Sequence, residues 1–396
     1  MKRFVTFVLL STLLFAPVAN GAPKKITVKP MQLLASVGTP TEVSGAVVSG
    51  KTIIIFGTKS AQAYVKGLDS AGKEIWNLSL DKSVASIATA AAVDPTGDIW
   101  IVGATPLVKG DVTPTAKPTP LNPDNAVVPS SIYISDLHAI SIWKVSAAGV
   151  LLATTALPTS NPILPTAIAV DKNGASIVGI VGNDKGNVGF FVNADSTGIF
   201  STVLQIGTKS TTATAVVRHS DGTFTVTGSS SETLAGKKVV GISDGVLVKV
   251  SKTLKITAVV RSSIAQGERS WGSASPSLLL GGEVLVKGKS ESAVTKFSTN
   301  FAPIWTYRFA ASGPTFTASS TQALFLSTGA IPQLNWNPKS PTPLLLTFDT
   351  KGIISAADSA PIGQKEVLGL LISKELGVLT LTSSAESVSI FTLLPR

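Results

Sequence analysis

The chain has 396 residues, a formal net charge of +10, no cysteine, 44% hydrophobic residues and only 14% charged residues. It is long enough to bury a large core, and this composition argues against an intrinsically disordered protein. The lack of cysteine excludes disulfides, catalytic thiols and zinc–thiolate sites. The positive charge would favour anionic partners, but the Lys and Arg residues are spread along the chain, so we expect no nucleic-acid binding.

The first residues have the pattern of a signal peptide. Lys2 and Arg3 form a basic start, Phe4–Phe15 is an apolar run, and Ala19–Gly21 provides a small-residue cleavage site. The apolar run is shorter than the roughly 20 residues that a membrane-spanning helix needs. We therefore expect residues 1–21 to be cleaved, and the mature protein to be extracytoplasmic, secreted and without a membrane span.

Two kinds of β-hairpin alternate along the rest of the chain. The first has a glycine in its turn and often ends in glycine, as in residues 90–105, 167–182 and 215–230. The second often carries an aromatic residue and occurs at residues 63–80, 141–157, 246–260, 293–309 and 344–359. Each pair of hairpins makes a unit of four strands, which we label a to d. Most units recur after about 40–60 residues, which is typical of β-propeller blades.

Five hairpin turns share the pattern Asp-x-x-Gly, beginning at Asp69, Asp94, Asp171, Asp195 and Asp349. An aspartate at the first turn position can accept a hydrogen bond from the backbone two residues later, and glycine at the fourth tolerates positive φ. The spaced carboxylates of a calcium loop are missing. We therefore assign these aspartates to turns and not to catalysis or metal binding.

The repeats resemble those of the bacterial seven-bladed β-propeller repeat family. The closest copies are VDPTGDIWIVGAT (residues 93–105) and DGVLVKVSKTL (residues 244–254), and a lysine recurs near the second turn of the unit at Lys66, Lys144, Lys249 and Lys296. The resemblance covers nearly all of residues 26–396 and implies a fold but no activity. GKEIW (residues 72–76) also resembles the tryptophan-docking motif of quinoprotein propellers. Only Trp305 echoes it, so we expect no quinone cofactor.

The last unit, residues 366–394, ends after three strands. The segment ITVKPMQLL (residues 26–34) could supply the fourth, and its pairing would remove an exposed sheet edge. The sequence thus predicts a single all-β domain over residues 22–396. This domain would be a β-propeller of about seven four-stranded blades, closed by the N-terminal strand pairing with the last blade. A total of six or eight blades remains an alternative, because the repeat pattern of unit six is weak.

The b–c and d–a loops should share one end of the propeller, and they are longer than the turns at the other end. They include a proline-rich insertion in the second blade, residues 106–139, and residues 229–244, 264–272 and 329–342. Loops on a rigid scaffold commonly carry binding residues. We therefore predict that the ligand-binding residues are Arg269, Trp271, Trp336, Lys237 and Lys238. Tryptophan beside arginine suits stacking on a sugar ring or planar group; alternatively, the tryptophans cap blade cores and the lysines are solvated.

The sequence gives little support to catalysis. It has two histidines, His138 and His219, and no recognisable nucleophile, metal-binding or phosphate-binding motif. We therefore assign no catalytic residue and expect no metal or cofactor. A carbohydrate-active enzyme (a glycosidase or lyase) built from carboxylates on separate blades remains the alternative. Its candidate carboxylates are Asp111, Asp124, Asp136, Glu232, Asp244, Glu268 and Glu291.

These observations favour a secreted binding or scaffold protein over an enzyme. The expected ligand is an anionic glycan, a cell-wall polymer or a protein, recognised through the loops of one end. We expect the protein to be a monomer.

Overall fold

The computed structural model describes residues 25–81, 85–107 and 137–393. The predicted signal peptide and most of the proline-rich insertion lie outside these ranges. Within them the regular elements are 29 β-strands, and no helix has the length and apolar character to cross a membrane. The described chain is therefore all-β, as the sequence predicts.

Two N-terminal strands, β1 (Ile26–Pro30) and β2 (Gln32–Gly38), precede four antiparallel sheets whose strands follow the chain in the order a, b, c, d. Sheet 1 contains β3 (Val43–Ser49), β4 (Thr52–Lys59), β5 (Gln62–Leu68) and β6 (Glu74–Ser79). Sheet 2 contains β7 (Ile87–Val93), β8 (Ile99–Pro106), β9 (Leu137–Val145) and β10 (Leu151–Pro158). Sheet 3 contains β11 (Ile163–Asp171), β12 (Gly174–Asn183), β13 (Gly186–Asp195) and β14 (Leu204–Ile206). Sheet 4 contains β15 (Thr211–Arg218), β16 (Phe224–Ser230), β17 (Asp244–Val250) and β18 (Ile256–Ser262).

The next strands belong to one nine-stranded sheet that combines two units. Its strands from this part of the chain are β19 (Gly267–Ala274), β20 (Leu279–Val286), β21 (Lys289–Phe297), β22 (Pro303–Ala318), β23 (Gln322–Ser327), β24 (Leu334–Asn335), β25 (Thr342–Phe348) and β26 (Ile354–Ser359). The first half of β22 pairs with β21 and the second half with β23. One continuous strand thus ends unit 5 (β19 to residue 310) and begins unit 6 (residue 311 to β26), which explains why the sequence pattern is weak there.

Sheet 7 contains β27 (Glu366–Ser373), β28 (Gly377–Ser383) and β29 (Val388–Thr392), followed in space by β2. β2 pairs antiparallel with β29, whereas β1 pairs in parallel with β26 and β24 of unit 6. The predicted single strand over residues 26–34 is therefore wrong in its bounds. Met31, which is 4% exposed in the core between unit 6 and sheet 7, separates the two strands.

The first strands of sheets 1 to 4 each carry a β-bulge opposite a glycine of strand b. The bulge brings the backbone of strand a onto that glycine: a Cβ on Gly103 would lie 1.7 Å from the carbonyl oxygen of Ile87. This close approach explains why the second strand of the hairpin repeats a glycine at its end.

Neighbouring sheets contact each other through their a strands, and side-chain hydroxyls link these strands. Thr166 Oγ1 of sheet 3 donates to the carbonyl of Ala213 in sheet 4 at 2.7 Å, and Ser273 Oγ of unit 5 donates to the carbonyl of Thr315 in unit 6 at 2.8 Å. Thr214 Oγ1 of sheet 4 likewise donates to the carbonyl of Trp271 in unit 5. The sheets are therefore held at fixed spacing around their inner strands.

The a–b and c–d turns lie at one end of the sheets, which we call the turn end. They include the five Asp-x-x-Gly turns, and the predicted turn role of the aspartates is confirmed. Each of the five aspartates accepts a backbone N–H from two residues later through Oδ1, at 2.7–2.9 Å. Trp76 of the GKEIW motif lies against Gly149 in the next sheet, where its Nε1 donates to the carbonyl of Ala147 at 3.2 Å. Trp305 makes the same kind of contact with Gly352. These tryptophans join neighbouring four-stranded units.

The hydrophobic core is divided into clusters, each between two neighbouring sheets. We name these interfaces junctions, so that junction 3/4 lies between sheets 3 and 4 and junction 7/1 between sheets 7 and 1. Junction 3/4 is filled by aliphatic and aromatic side chains such as Phe191, Phe224 and Val248. Junction 7/1 has a similar core near the inner strands, which includes Ile53 and Leu381.

Candidate functional site

The b–c and d–a loops lie at one end of the sheets, which we call the loop end. The prediction that this end carries long loops holds for only part of the molecule, because the b–c connections of sheets 1 and 3 and unit 5 have just two residues between their strands. Beside the insertion of sheet 2, long b–c segments occur in sheet 4 (residues 231–243, the sheet-4 loop) and in unit 6 (residues 328–341, the unit-6 loop).

The sheet-4 loop is anchored at its start by Glu232, which is buried. Its Oε1 accepts three consecutive backbone N–H groups, from Thr208, Lys209 and Ser210, at 2.9, 3.2 and 3.1 Å. Burial would raise the pKa of Glu232, but hydrogen bonds from Thr208, Thr211 and Ser210 outweigh it and lower the pKa to about 2. This carboxylate is therefore an internal anchor and is unsuited to act as a general acid.

Asp244 and Arg261 anchor the end of the same loop. Asp244 is fully buried and accepts the backbone N–H groups of Val240 and Gly241 at 3.0 Å. Arg261 Nη1 lies 3.2 Å from Asp244 Oδ2, and its guanidinium also donates to the carbonyls of Ser230, Glu232 and Lys237. Burial alone would raise the pKa of Asp244, yet these donors hold it below its usual value. The loop is thus fixed at both ends.

The sheet-4 loop also pairs with the inner strand of unit 5. Ile242 N donates to the carbonyl of Gly267 at 2.8 Å, and Arg269 N donates to that of Ser243 at 2.9 Å. The exposed side chains of the loop include those of Lys237, Lys238, Val240 and Ile242. Val240 and Ile242 are 70% and 59% exposed. Two cations and two aliphatic groups are therefore displayed on a rigid support.

Arg269 and Trp271 do not lie in a loop, so their predicted placement is wrong. Both belong to β19, and Trp271 is 0% exposed, with its ring 5.7 Å from that of Phe297 in an edge-on contact. The Arg269 guanidinium lies 4.3 Å from the Trp271 ring centre. The bulge after Trp271 and the small Gly245 and Gly282 beside the ring let the indole enter junction 4/5. In this arrangement Trp271 has no free ring face for a ligand.

Arg269 is a half-buried cation beside a small pocket of about 140 Å³. Burial and the positive charge of Arg308 lower the pKa of Arg269 to about 10, so the guanidinium stays charged at neutral pH. Its Nη2 donates to Thr295 Oγ1 at 3.3 Å, while its buried Nε has no hydrogen-bond partner among the described residues. Glu268 also lines this pocket.

Trp336 of the unit-6 loop is half-buried and packs against the core of unit 6. Its Nε1 donates to Ser327 Oγ at 3.5 Å. In the described chain no ring contact or hydrogen bond joins it to Arg269 or Trp271. The structure therefore brings Arg269 and Trp271 together beside the loop that carries Lys237 and Lys238, and places Trp336 in a different unit.

The carboxylates proposed for an enzyme have different surroundings. Asp111, Asp124 and Asp136 lie outside the described residues. Glu232 and Asp244 are the loop anchors, and Glu291 is ion-paired with Arg308. Among the described residues no cluster of three His, Asp or Glu side chains could hold a metal ion.

A larger pocket, of about 450 Å³, lies at the loop end of junction 7/1, and we call it the junction pocket. Its walls are β2 of sheet 7 and the c and d strands of sheet 1. The side chains that line it are mostly polar and include Ser36, Gln62, Tyr64, Lys66, Asn77 and Ser79. This pocket was not predicted from the sequence, although the position of one lysine differs from that of its counterparts. Lys66 lies three positions before Asp69, the first residue of the c–d turn (its turn residue). The other three lysines lie two positions before the turn residues of their units, which are Ser146, Ser251 and Ser298.

That one-residue difference matters because successive side chains of a strand point to opposite faces. Lys66 therefore lies on the face of sheet 1 that is turned towards sheet 7. Lys144, on the other face of its strand, pairs with Asp94 and Asp98 at 3.5 and 3.0 Å. The four lysines do not form one recurrent structural position.

The comparisons with known proteins concern the fold. No family model matches the chain, and no curated protein matches it in sequence. Among solved structures, a chain of hydrazine synthase from Kuenenia stuttgartiensis is similar with a TM-score of 0.52 and 10% identity, over 90% of this chain and 96% of that one. The WD40 domain of Toxoplasma gondii coronin aligns with a TM-score of 0.49 and 11% identity, over 94% of this chain and 90% of that one.

At these identities the likeness concerns the fold alone, and the second score is too low to carry an argument. Together with the succession of four-stranded units, the likeness to the hydrazine synthase chain supports a β-propeller fold. Membership of the bacterial seven-bladed repeat family stays a prediction.

Proposed function

We propose that this protein is an exported β-propeller that binds an anionic polymer, such as an acidic glycan or cell-wall polymer, at its loop end. Export is proposed from the basic start and the short apolar run at the N-terminus. The carrying observation for binding is the sheet-4 loop, which displays Lys237, Lys238, Val240 and Ile242 on a support fixed by three buried charged residues.

The proposal includes seven blades in a closed ring. Sheets 1 to 4, units 5 and 6, and sheet 7 provide seven four-stranded units, the last completed by β2. Closure is supported by contacts between β27 and β3 and by the shared core of junction 7/1. At the turn end, Ser373 Oγ donates to the carbonyl of Gly50 at 3.3 Å.

The exposed loop side chains suit a long acidic ligand. Lys237 and Lys238 provide the charge, and Val240 and Ile242 provide apolar surface for the carbon–hydrogen faces of sugar rings. Arg269, whose Nε lacks a partner in the described chain, is a further cation beside the loop. Trp271 packs against the guanidinium of Arg269, and in this proposal it does not contact the ligand itself.

Trp336 remains in the proposal as an aromatic contact on the unit-6 loop. A ligand that touches both loops must extend from the fourth to the sixth unit. An extended polymer can contact loops on different units at the same time. An anionic polymer therefore accounts for more of the loop end than a compact ligand does.

The test is retention on an array of acidic and neutral polysaccharides, with analysis of released products. The double variant Lys237→Ala/Lys238→Ala should weaken retention on the acidic polymer about tenfold at low salt, and the difference should shrink at high salt because screening removes it. The matched control is Lys51→Ala/Lys73→Ala, which removes two exposed lysines from the turn end. Equal losses in both variants would mean non-specific attraction, and released fragments would favour the carbohydrate-active enzyme.

A further inference from the structure

The junction pocket lies at strand positions that are apolar in three other units of the chain. In strand c, the residues five and three positions before the turn residue face the preceding sheet. Three other units bury apolar pairs there: Phe190 and Val192 before Asp195, Val246 and Val248 before Ser251, and Leu344 and Leu346 before Asp349. Sheet 1 instead has Tyr64 and Lys66 before Asp69.

The neighbouring strand positions reinforce this difference. Gln62 lies on the same face of β5 as Tyr64 and Lys66. On β6, Ser79 is the register partner of Tyr64, and Asn77 is the register partner of Lys66. The alternate residues Ala63 and Val65 of β5 are fully buried in junction 1/2. One face of sheet 1 is thus ordinary core, and the outer part of the other face is a continuous polar surface.

A polar surface at this position reduces the packing that holds two sheets together, because each buried apolar side chain contributes about 1.5–3 kcal/mol. β2, which pairs with β29 of sheet 7, forms the opposite wall of the pocket. The result is a cleft of about 450 Å³, within the range of roughly 300–1,000 Å³ that is usual for small-molecule sites.

The charges in and beside the pocket are balanced. Lys59 Nζ lies 3.4 Å from Glu42 Oε1, and Lys66 Nζ lies 3.3 Å from Glu74 Oε2. Each of these two lysines is therefore paired with its own carboxylate. A charged ligand would have to compete with an existing ion pair for its counter-charge. The arrangement favours a neutral ligand.

The hydrogen-bonding groups point to the same ligand class. Tyr64 is 8% exposed; burial and the negative charges of Glu42 and Glu74 raise its pKa to about 12, so its phenol keeps its proton. Phenol, amide and hydroxyl groups can both donate and accept hydrogen bonds. Such groups, together with neutralised ion pairs, match the alternating donors and acceptors of a hydroxyl-rich molecule.

We propose that the junction pocket is a second binding site, which takes a neutral, hydroxyl-rich ligand such as a short oligosaccharide. The site is separate from the sheet-4 loop in position and in ligand charge. It does not depend on the function proposed above.

The experiment measures binding of the full chain to an array of neutral mono- and oligosaccharides, followed by calorimetry on the saccharide retained best. Tyr64→Phe should weaken this binding by about three- to tenfold, as expected for the loss of one neutral hydrogen bond, and Asn77→Ala should have a similar effect. Because the ligand is neutral, affinity should change less than twofold between low and high salt.

Two control variants test whether the binding depends on this pocket. Tyr307→Phe removes a phenol hydroxyl from a half-buried tyrosine in β22, outside the pocket, and should leave affinity unchanged. Lys237→Ala/Lys238→Ala should also leave it unchanged, whatever its effect on acidic polymers. Retention of no neutral saccharide, or binding that survives Tyr64→Phe combined with Asn77→Ala, would overturn the proposal. Circular dichroism of each variant checks that the fold is retained.

Discussion

Junctions 3/4 and 7/1 are built from the same strand pattern but use polar residues in different ways. At junction 3/4, strand c contributes Val246 and Val248 to an apolar core, and the carboxylate at the loop end, Glu232, accepts three backbone N–H groups. At junction 7/1, the equivalent positions of strand c are Tyr64 and Lys66, which line a pocket.

This contrast shows how a repeat scaffold separates stability from recognition. A polar group saturated by backbone donors fixes a loop and leaves nothing for a ligand. A polar group that faces a cleft keeps hydrogen-bonding capacity and contributes less to packing. A polar residue in a repeat therefore needs to be judged by its partners and not by its position alone.

The largest effect is expected on removing the outer wall of junction 7/1. Deletion of residues 25–38, which contain β1 and β2, exposes the edges of β29 and β26 and removes buried Met31. We expect a loss of several kcal/mol, comparable with the whole stability of a typical domain, and aggregation through the open edges. Thermal unfolding with light scattering measures both.

A chain that lacks only residues 1–24 is the control for this deletion, and it should unfold at the same temperature as the chain that retains them. Equal melting temperatures for the two truncated chains would contradict both the proposed closure of the ring and the structural role of β2.

The next effect tests whether junction 3/4 tolerates the polarity of junction 7/1. Val248→Lys places an ammonium group at a site with 0% exposure inside the hydrophobic cluster of junction 3/4. An uncompensated buried charge should cost about 3–5 kcal/mol, measured by urea unfolding. The matched control is Val240→Lys, the same replacement at a valine that is 70% exposed, which should change the unfolding free energy by less than about 0.5 kcal/mol. A small loss in Val248→Lys would mean that junction 3/4 can hydrate as junction 7/1 does.

The smallest effect concerns the internal anchor of junction 3/4. Glu232 has a pKa of about 2 in the folded protein, below its ordinary value of 4.5. Its ionised form therefore stabilises the fold above about pH 5, and this contribution is lost as the pH falls through 4.5 towards 2. Glu232→Gln should lower the unfolding free energy on the order of 3 kcal/mol at pH 7, and the difference from the natural protein should vanish near pH 2.

The control for this titration is Glu386→Gln, which alters an exposed glutamate in the b–c loop of sheet 7. It should leave the acid unfolding curve unchanged. A pH-independent difference between Glu232→Gln and the natural chain would show that the amide loses packing or geometry, and not the ionic stabilisation of the three backbone N–H groups.

Local sequence patterns were sufficient to predict the all-β class, the alternating hairpins and the turn role of the five aspartates. Period-two alternation places side chains on two faces of a strand, and Asp-x-x-Gly makes its hydrogen bonds within a few residues. Neither depends on distant parts of the chain. The loop end was also predictable, since antiparallel hairpins place alternate connections at opposite ends.

Long-range packing determines which residues could form a site, and the sequence does not show it. Trp271 and Arg269 looked like loop residues because β19 begins in a polar segment, and only the contacts with Gly245 and Phe297 show that the indole is buried. The junction pocket depends on β2, which pairs with β29 from the opposite end of the chain. Lys66 lies one residue further from its turn than the other three lysines lie from theirs, and this difference places it on the opposite face of its strand. The lysine lines a pocket because that face is turned towards sheet 7.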